Sequence, residues 1–326
     1  MALEKCTDFG VPFFIVGFSR SGTTLIAALL DKHSRICVTP ETRFCRGVLP
    51  CGQCDRVARD HKFIGDRIFG YWRTSDLKIP RVAFDAVFSR FSPGYRNALA
   101  SLLECYRRQS GKPRIGEKSP IHLFYVSKLL TWFPGAHVFC LIRDGRDVVN
   151  SMMNAPFTHR HFARHAAEWT FQSRLARTLQ KQYTDNFHTV RFEDLLSDTQ
   201  GVLVSLCSIL GEEYESSQLL PAENSNVVPD WERGWKAEAA AGVDSSKVAI
   251  WKSIYSDDAL SFLHRVMAVE LKHWGYEIPA KRGNAGFRTF RMQVSAIPFR
   301  GNFYAFFRAE SDRIRIILCQ LGLKPY

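Results

Sequence analysis

Pro12-Phe-Phe-Ile-Val-Gly17, then Phe18-Ser-Arg-Ser-Gly22, then Thr23-Thr-Leu-Ile-Ala-Ala-Leu-Leu30 is the stretch that decides the fold class. An unbroken apolar run as short as the first piece is the pattern of a strand buried on both faces. The piece after Gly22 has the composition of a buried helix. Strand, glycine-bearing turn and helix in that order form the opening unit of an open parallel α/β sheet flanked by helices. The pattern recurs at His137-Val-Phe-Cys-Leu-Ile142, Arg143-Asp-Gly-Arg-Asp147 and a helix from about Val148. A third strand is expected at His188-Thr-Val-Arg-Phe192, leading through Glu193-Asp194 into the apolar-periodic stretch Leu195 to Leu210. Residues from about 55 to 112 read as a helical insertion, and Ala259 to Trp274 as an amphipathic helix stopped at Gly275. The expectation is one α/β domain over residues 1–280 and a basic extension over 281–326.

Gly17-x-x-x-x-Gly22-Thr23-Thr24 has the spacing of a phosphate-binding loop, in which backbone N–H groups and a helix N-terminus converge on an anion. The Lys of a nucleoside-triphosphate loop is missing, because Thr23 stands in its place. A cation arrives earlier instead, as Arg20. This combination suits a donor with a 5'-phosphate that is handled without a triphosphate–metal arrangement; a tight turn without a ligand is the plain alternative. In the second unit Arg143 leaves the carboxyl end of a strand, where ligands bind in such sheets. Ser151 follows eight residues later, about two turns along the next helix. A guanidinium and a hydroxyl so placed suit a second phosphate. A surface ion pair of Arg143 with Asp144 or Asp147 is the competing reading.

Taken together, the two loops resemble those of the sulfotransferases that use 3'-phosphoadenosine 5'-phosphosulfate (PAPS). Phe14 to Thr24 is similar to the family's 5'-phosphosulfate loop, and Leu141 to Ser151 to its 3'-phosphate motif. Pro40-Glu-Thr-Arg43 resembles a segment of the tyrosylprotein sulfotransferases, and Gly116-Glu-Lys-Ser-Pro120 the Lys-bearing segment before the second unit. Arg191-Phe-Glu-Asp-Leu195 and the Trp-Gly-Tyr ending at Tyr276 also fit, so the likeness covers about residues 11 to 278.

The resemblance implies that Arg20, Ser21, Gly22, Thr23 and Thr24 wrap the 5'-phosphosulfate, while Arg143 and Ser151 hold the 3'-phosphate. It gives Glu41 the role of general base on the acceptor hydroxyl, and Lys118 with Arg20 that of stabilising charge on the bridging oxygen. Adenosine 3',5'-diphosphate (PAP) is then the product, and no metal is required. A cation that closes over the donor is expected at Lys247 or Lys252. The long spacing between the Glu41 and Lys118 segments departs from the family pattern and points to different material around the acceptor. His122 is the rival base, Glu41 has a bland reading as a partner of Arg43, and His33 reads as structural.

Composition bounds the rest. The chain has 326 residues, 46% hydrophobic and 23% charged, as expected of an ordinary folded protein. Its net charge of +12 is uneven, since residues 281–326 hold nine Lys/Arg against Glu310 and Asp312. That tail interleaves arginines with Phe287, Phe290, Phe299, Phe303, Tyr304, Phe306 and Phe307, the make-up of a segment at an anionic membrane surface. A packed or dimerising extension is the alternative, and nucleic acid is not expected. The sequence shows no secretory signal or spanning segment, which implies a cytoplasmic setting and reduced thiols for the nine cysteines. Cys37, Cys45, Cys51 and Cys54 cluster without the second close pair of a zinc site. Two rivals remain: a P-loop kinase or nucleotidase using ATP and Mg²⁺, and a silent nucleotide-binding protein.

Overall fold

The computed structural model describes residues 10–50, 60–156, 158, 161–220, 227–233 and 244–279. The tail from 281, with its expected membrane contact, and Cys51 and Cys54 lie outside the described residues.

In chain order the strands are β1 (Phe13–Gly17), β2 (Ile36–Thr39), β3 (Arg114–Lys118), β4 (Val138–Ile142) and β5 (Phe187–Arg191). Between β1 and β2 lies α1 (Thr23–Asp31). Then come α2 (Phe44–Gly47), α3 (His61–Phe69), α4 (Arg81–Phe88) and α5 (Tyr95–Ser110), all before β3, and α6 (Val126–Trp132) before β4. After β4 follow α7 (Gly145–Met153) and α8 (Phe162–Gln182), and after β5 α9 (Phe192–Ser197) and α10 (Thr199–Ile209). A short helix Trp251–Ile254 and a long one, Asp257–His273, close the described chain.

The chain forms two compact units. Among the described residues the first takes 10–49, 60–143 and 176–245, and the second 50, 144–175 and 246–279.

The first unit holds a five-stranded sheet of order β2-β3-β1-β4-β5, parallel at every pairing. The expected open parallel α/β sheet is therefore observed. β1 and β4 are buried along their whole length. Phe13 packs on Phe139 at 5.7 Å between ring centroids, and Phe14 on Phe133 at 5.8 Å. Because β1 lies between β3 and β4, the order of strands reverses there, and ligands gather beyond the carboxyl ends at such a switch point. Gly17 ends β1 at φ 144°, and a Cβ there would meet the Leu141 carbonyl oxygen of β4 at 2.6 Å. Only glycine lets the two strands approach so closely at the site's edge.

β2 and β3 were not among the expected strands. Ile36–Thr39 has four residues, and Arg-Ile-Gly-Glu-Lys at 114–118 breaks the apolar pattern by burying Glu117 and Lys118. The stretch Leu195 to Leu210 is two helices, divided at Asp198, whose carboxylate accepts the Gly201 N–H at 2.9 Å and so starts α10.

In the second unit α7 begins at Gly145, earlier than expected. Asp144 is its N-cap, accepting the Arg146 N–H at 2.9 Å. Within that unit Arg146 lies over the Trp251 ring, its guanidinium carbon 3.6 Å from the centroid, while pairing with Asp144 at 2.6 Å. No helix among the described residues is long and apolar enough to cross a membrane.

Candidate active site

The turn after β1 is built on left-handed backbone. Arg20 has φ 72° and Gly22 φ 93°, and the Ser21 N–H returns to the Phe18 carbonyl at 3.2 Å. Gly22 caps α1, so that Thr23 and Thr24 occupy the first helical positions, where backbone N–H groups lack helical partners. A Cβ on Gly22 would fall 2.4 Å from the Phe192 ring. Ser21, Thr23 and Thr24 are buried, and the Ser21 hydroxyl has no hydrogen-bond partner among the described residues. A buried hydroxyl without a partner is costly. One lying in a turn of N–H groups at a helix N-terminus fits an anion, the requirement the donor's 5'-end would impose.

Arg143 follows β4 directly and is buried. Its Nη1 donates to the Arg20 carbonyl at 3.0 Å, and its guanidinium lies over the Phe192 ring at 4.5 Å. The structure thus brings Arg143 to the loop after β1 rather than leaving it on an exposed face. Phe192 supports both, beneath the Arg143 cation and against Gly22. Ser151 stands on α7 in the second unit, nearly two turns from its start.

The segment after β2 carries Glu41, which is buried. Its Oε1 accepts from Arg43 Nε at 2.5 Å, and its Oε2 lies 3.7 Å from Lys118 Nζ. Glu41 therefore pairs with Arg43, as its bland reading expects, and also with the buried Lys118. The neighbouring residues repeat this contact. Thr42 Oγ1 donates to Glu117 at 2.6 Å, and the Arg43 N–H to Ser119 Oγ at 2.8 Å. Arg43 itself sits at φ 48°.

Glu117 is completely buried and also accepts from Ser119 Oγ at 2.6 Å and from His122 Nδ1 at 2.8 Å. Burial disfavours its charge, but His122, Ser119 and Thr42 together hold it below the ordinary carboxylate range. For His122, burial opposes a charge while Glu117 favours one. The Cys45 N–H, aimed at Nε2 at 3.1 Å, needs that nitrogen without a proton, so the geometry favours a neutral ring donating through Nδ1. His122 is thus committed to Glu117 and Cys45, which weighs against its use as a base. His33 is committed likewise, with Nε2 against the Glu213 carbonyl at 2.7 Å and Nδ1 accepting the Arg35 N–H at 3.0 Å.

Arg73, on the 3-10 helix Trp72–Leu77, was not foreseen. It is buried and donates through Nη1 to the Glu41 carbonyl at 3.3 Å. Glu117 and Phe192 were likewise missed as site residues, although both lie in segments that carried the family resemblance.

Within the second unit Asp147 accepts the N–H groups of Ala249 and Trp251, each at 2.8 Å. This pins the segment holding Lys247 and Lys252. Lys252 is exposed with Nζ 5.7 Å from the Trp251 ring centroid, and Lys247 is half-buried. Cys37 and Cys45 are buried thiols, and among the described residues no cluster of His, Cys, Asp and Glu could hold a metal ion.

A parallel sheet with a glycine-bounded turn between its central strand and α1 defines the class, and comparison with known proteins narrows it. A profile described as "Sulfotransferase family" matches residues 12–216, more than half of the chain. This chain belongs to that family. Protein-tyrosine sulfotransferase A of Caenorhabditis elegans is 29% identical over 150 residues, covering 45% of this chain and 34% of that protein. Human protein-tyrosine sulfotransferase 1 is 29% identical over 146 residues, covering 44% and 34%. The matched region thus spans about a third of these relatives' length. Among solved structures, the sulfotransferase domain of the Synechococcus PCC 7002 olefin synthase superposes with a TM-score of 0.61 at 20% identity, covering 83% of this chain and 96% of that one. The sulfotransferase domain from the curacin biosynthetic pathway gives 0.52 at 19%, covering 82% and 99%. Both share the fold.

Proposed function

We propose that this protein is a PAPS-dependent sulfotransferase acting on an acceptor hydroxyl or amine, of a carbohydrate, a glycolipid or a small molecule. The observation that carries this reading is the buried Glu41–Lys118 pair, 3.7 Å apart, on the sheet that also presents the loop Phe18–Gly22. PAPS supplies a sulfuryl group on a good leaving group, so positioning and charge stabilisation carry most of the catalysis. Arg20, Ser21, Gly22, Thr23 and Thr24 hold the 5'-end; Arg143 and Ser151 hold the 3'-phosphate. Glu41, turned by Arg43 and Lys118, takes the acceptor proton. Lys118 and Arg20 offset charge at the bridging oxygen. Lys247 or Lys252 closes over the donor.

The cytoplasm is the proposed setting, with contact at an anionic membrane through residues 281–326. Vesicle sedimentation of the full chain beside one ending near residue 280 tests that contact. Homodimerisation stays open to sedimentation analysis.

A kinase reading needs a Lys where Thr23 stands, and Mg²⁺. Calorimetric titration with PAP, beside ATP–Mg²⁺ and 5'-AMP, decides between them. Selective PAP binding weakened by Arg143→Ala supports the donor site, and turnover of labelled PAPS distinguishes an enzyme from a silent binder. Preference for ATP–Mg²⁺ overturns the reading.

A further inference from the structure

Six tryptophans lie among the described residues. Trp132, Trp169, Trp251 and Trp274 are buried, as large apolar rings usually are; Trp72 and Trp231 are 55% and 42% exposed. These two touch each other, edge to face, with centroids 5.1 Å apart. They come from distant parts of the chain, and their meeting is engineered by polar contacts. Arg73, 3% exposed, lies 4.5 Å from the Trp72 centroid and 5.0 Å from that of Trp231. Its Nη2 pairs with the buried Glu232 at 3.5 Å. The Trp231 Nε1–H donates to Asp76 Oδ1 at 3.0 Å across 155 residues of sequence. The same guanidinium reaches the Glu41 carbonyl at 3.3 Å. One buried cation therefore fixes two exposed indoles and the backbone of the proposed base.

Leaving two ordered indoles 55% and 42% exposed forgoes roughly half of the 150–250 Å² that each could bury. Fixed aromatic surface of this kind marks a binding site more often than chance. An open wall covers one face of its ligand and leaves the other wet. A phenyl ring has two apolar faces and gains from an enclosed slot. A pyranose can present one C–H face while its hydroxyls stay hydrated, and its alcohol needs a general base more than a phenol does.

We infer that Trp72 and Trp231 form the acceptor platform and that the acceptor is the hydroxyl of a pyranose. This rests on the sulfotransferase reading, and its test reads the two separately. Indole Nε1–H resonances of the full chain are recorded by NMR and assigned by Trp72→Phe and Trp231→Phe. PAP is added first, then methyl glucopyranoside, and in a parallel sample 4-methylphenol. Displacement of the Trp72 and Trp231 resonances by the pyranoside in the PAP-loaded protein is expected. With a pyranoside that serves as acceptor, Trp72→Ala raises the acceptor KM about tenfold, the PAP affinity unchanged, and Trp72→Phe restores most of it. PAP binding with both indoles unmoved by the pyranoside overturns the platform and leaves the donor site standing. Movement with the phenol alone overturns the pyranose. Failure of PAP to bind counts against the sulfotransferase reading instead.

Discussion

Glu117 accepts a 2.6 Å hydrogen bond from Thr42, and the residues beside them continue the pairing, Glu41 with Lys118 and the Arg43 N–H with Ser119 Oγ. A carboxylate buried at the end of a parallel strand is costly unless its partners are complete. Here three side chains satisfy it, and two of those partners, Thr42 and Ser119, lie in the segments that hold Glu41 and Lys118. Glu117 thereby acts as a positioning residue for the proposed base.

Thr42→Val removes one hydroxyl at nearly constant volume. It should cost about 1–3 kcal/mol of stability, because the Glu117 oxygen is left short of a donor. It should also lower kcat about tenfold through displacement of Glu41, with PAP affinity unchanged. Steady-state kinetics beside calorimetry check this, and an unaltered kcat in a destabilised variant would reduce Glu117 to a purely structural role.

Stability should respond to acid through the same group. Glu117 is held below its ordinary value, so its contribution is complete above about pH 4.5 and disappears as the pH falls through its lower, folded-state value. The stability gap between the wild type and Glu117→Gln, measured by urea unfolding, should narrow from about pH 7 to about pH 3. A gap that widens in acid would reverse the assignment of charge within the Glu117–His122 pair.

The loop offers a separable test of shape and backbone. Gly22→Ala brings a Cβ to within 2.4 Å of the Phe192 ring and places it at φ 93°. Both effects should weaken PAP binding. Phe192→Ala in the same chain relieves the clash but not the dihedral, and removes the ring under Arg143. The double variant should therefore bind PAP no better than Gly22→Ala. Full recovery would show that steric contact alone shapes the loop.

In the second unit, Asp147→Ala leaves the N–H groups of Ala249 and Trp251 without their acceptor. Both amides should lose hydrogen-exchange protection. PAP affinity should fall if Lys247 or Lys252 reaches the donor, and Lys247→Ala against Lys252→Ala then identifies which. Ala249 sits at φ 58°, so Ala249→Gly should stabilise the segment by roughly 1 kcal/mol.

The sequence made β1 and β4 legible because strands buried on both faces carry nothing but apolar residues. β3 escaped notice for the opposite reason. Its last two residues are the buried Glu117 and Lys118, and buried charged side chains interrupt the apolar pattern by which such a strand is read. Glu41, Lys118, Arg20 and Arg143 are singled out as candidates by motif resemblance, which marks residues by chemistry and spacing. Arg73 and Trp231 carry no such mark. Their contacts exist only because distant segments meet, and a meeting of that kind has no local periodicity to reveal it. Phe192 lay within a recognised motif, yet nothing in its neighbours shows that its ring would fill the space a side chain on Gly22 would need.

The strand order also governs when the site comes into being. The loop after β1 is synthesised well ahead of β3, and Thr42 waits 75 residues for Glu117. At about 5–20 residues per second, several seconds separate synthesis of the proposed base Glu41 from that of the strand carrying Glu117 and Lys118. Completion of β3 is the event that gives Glu41 and Thr42 their partners, and a nascent chain stalled ahead of it would carry the proposed base without Lys118 beside it or Glu117 to anchor its neighbour.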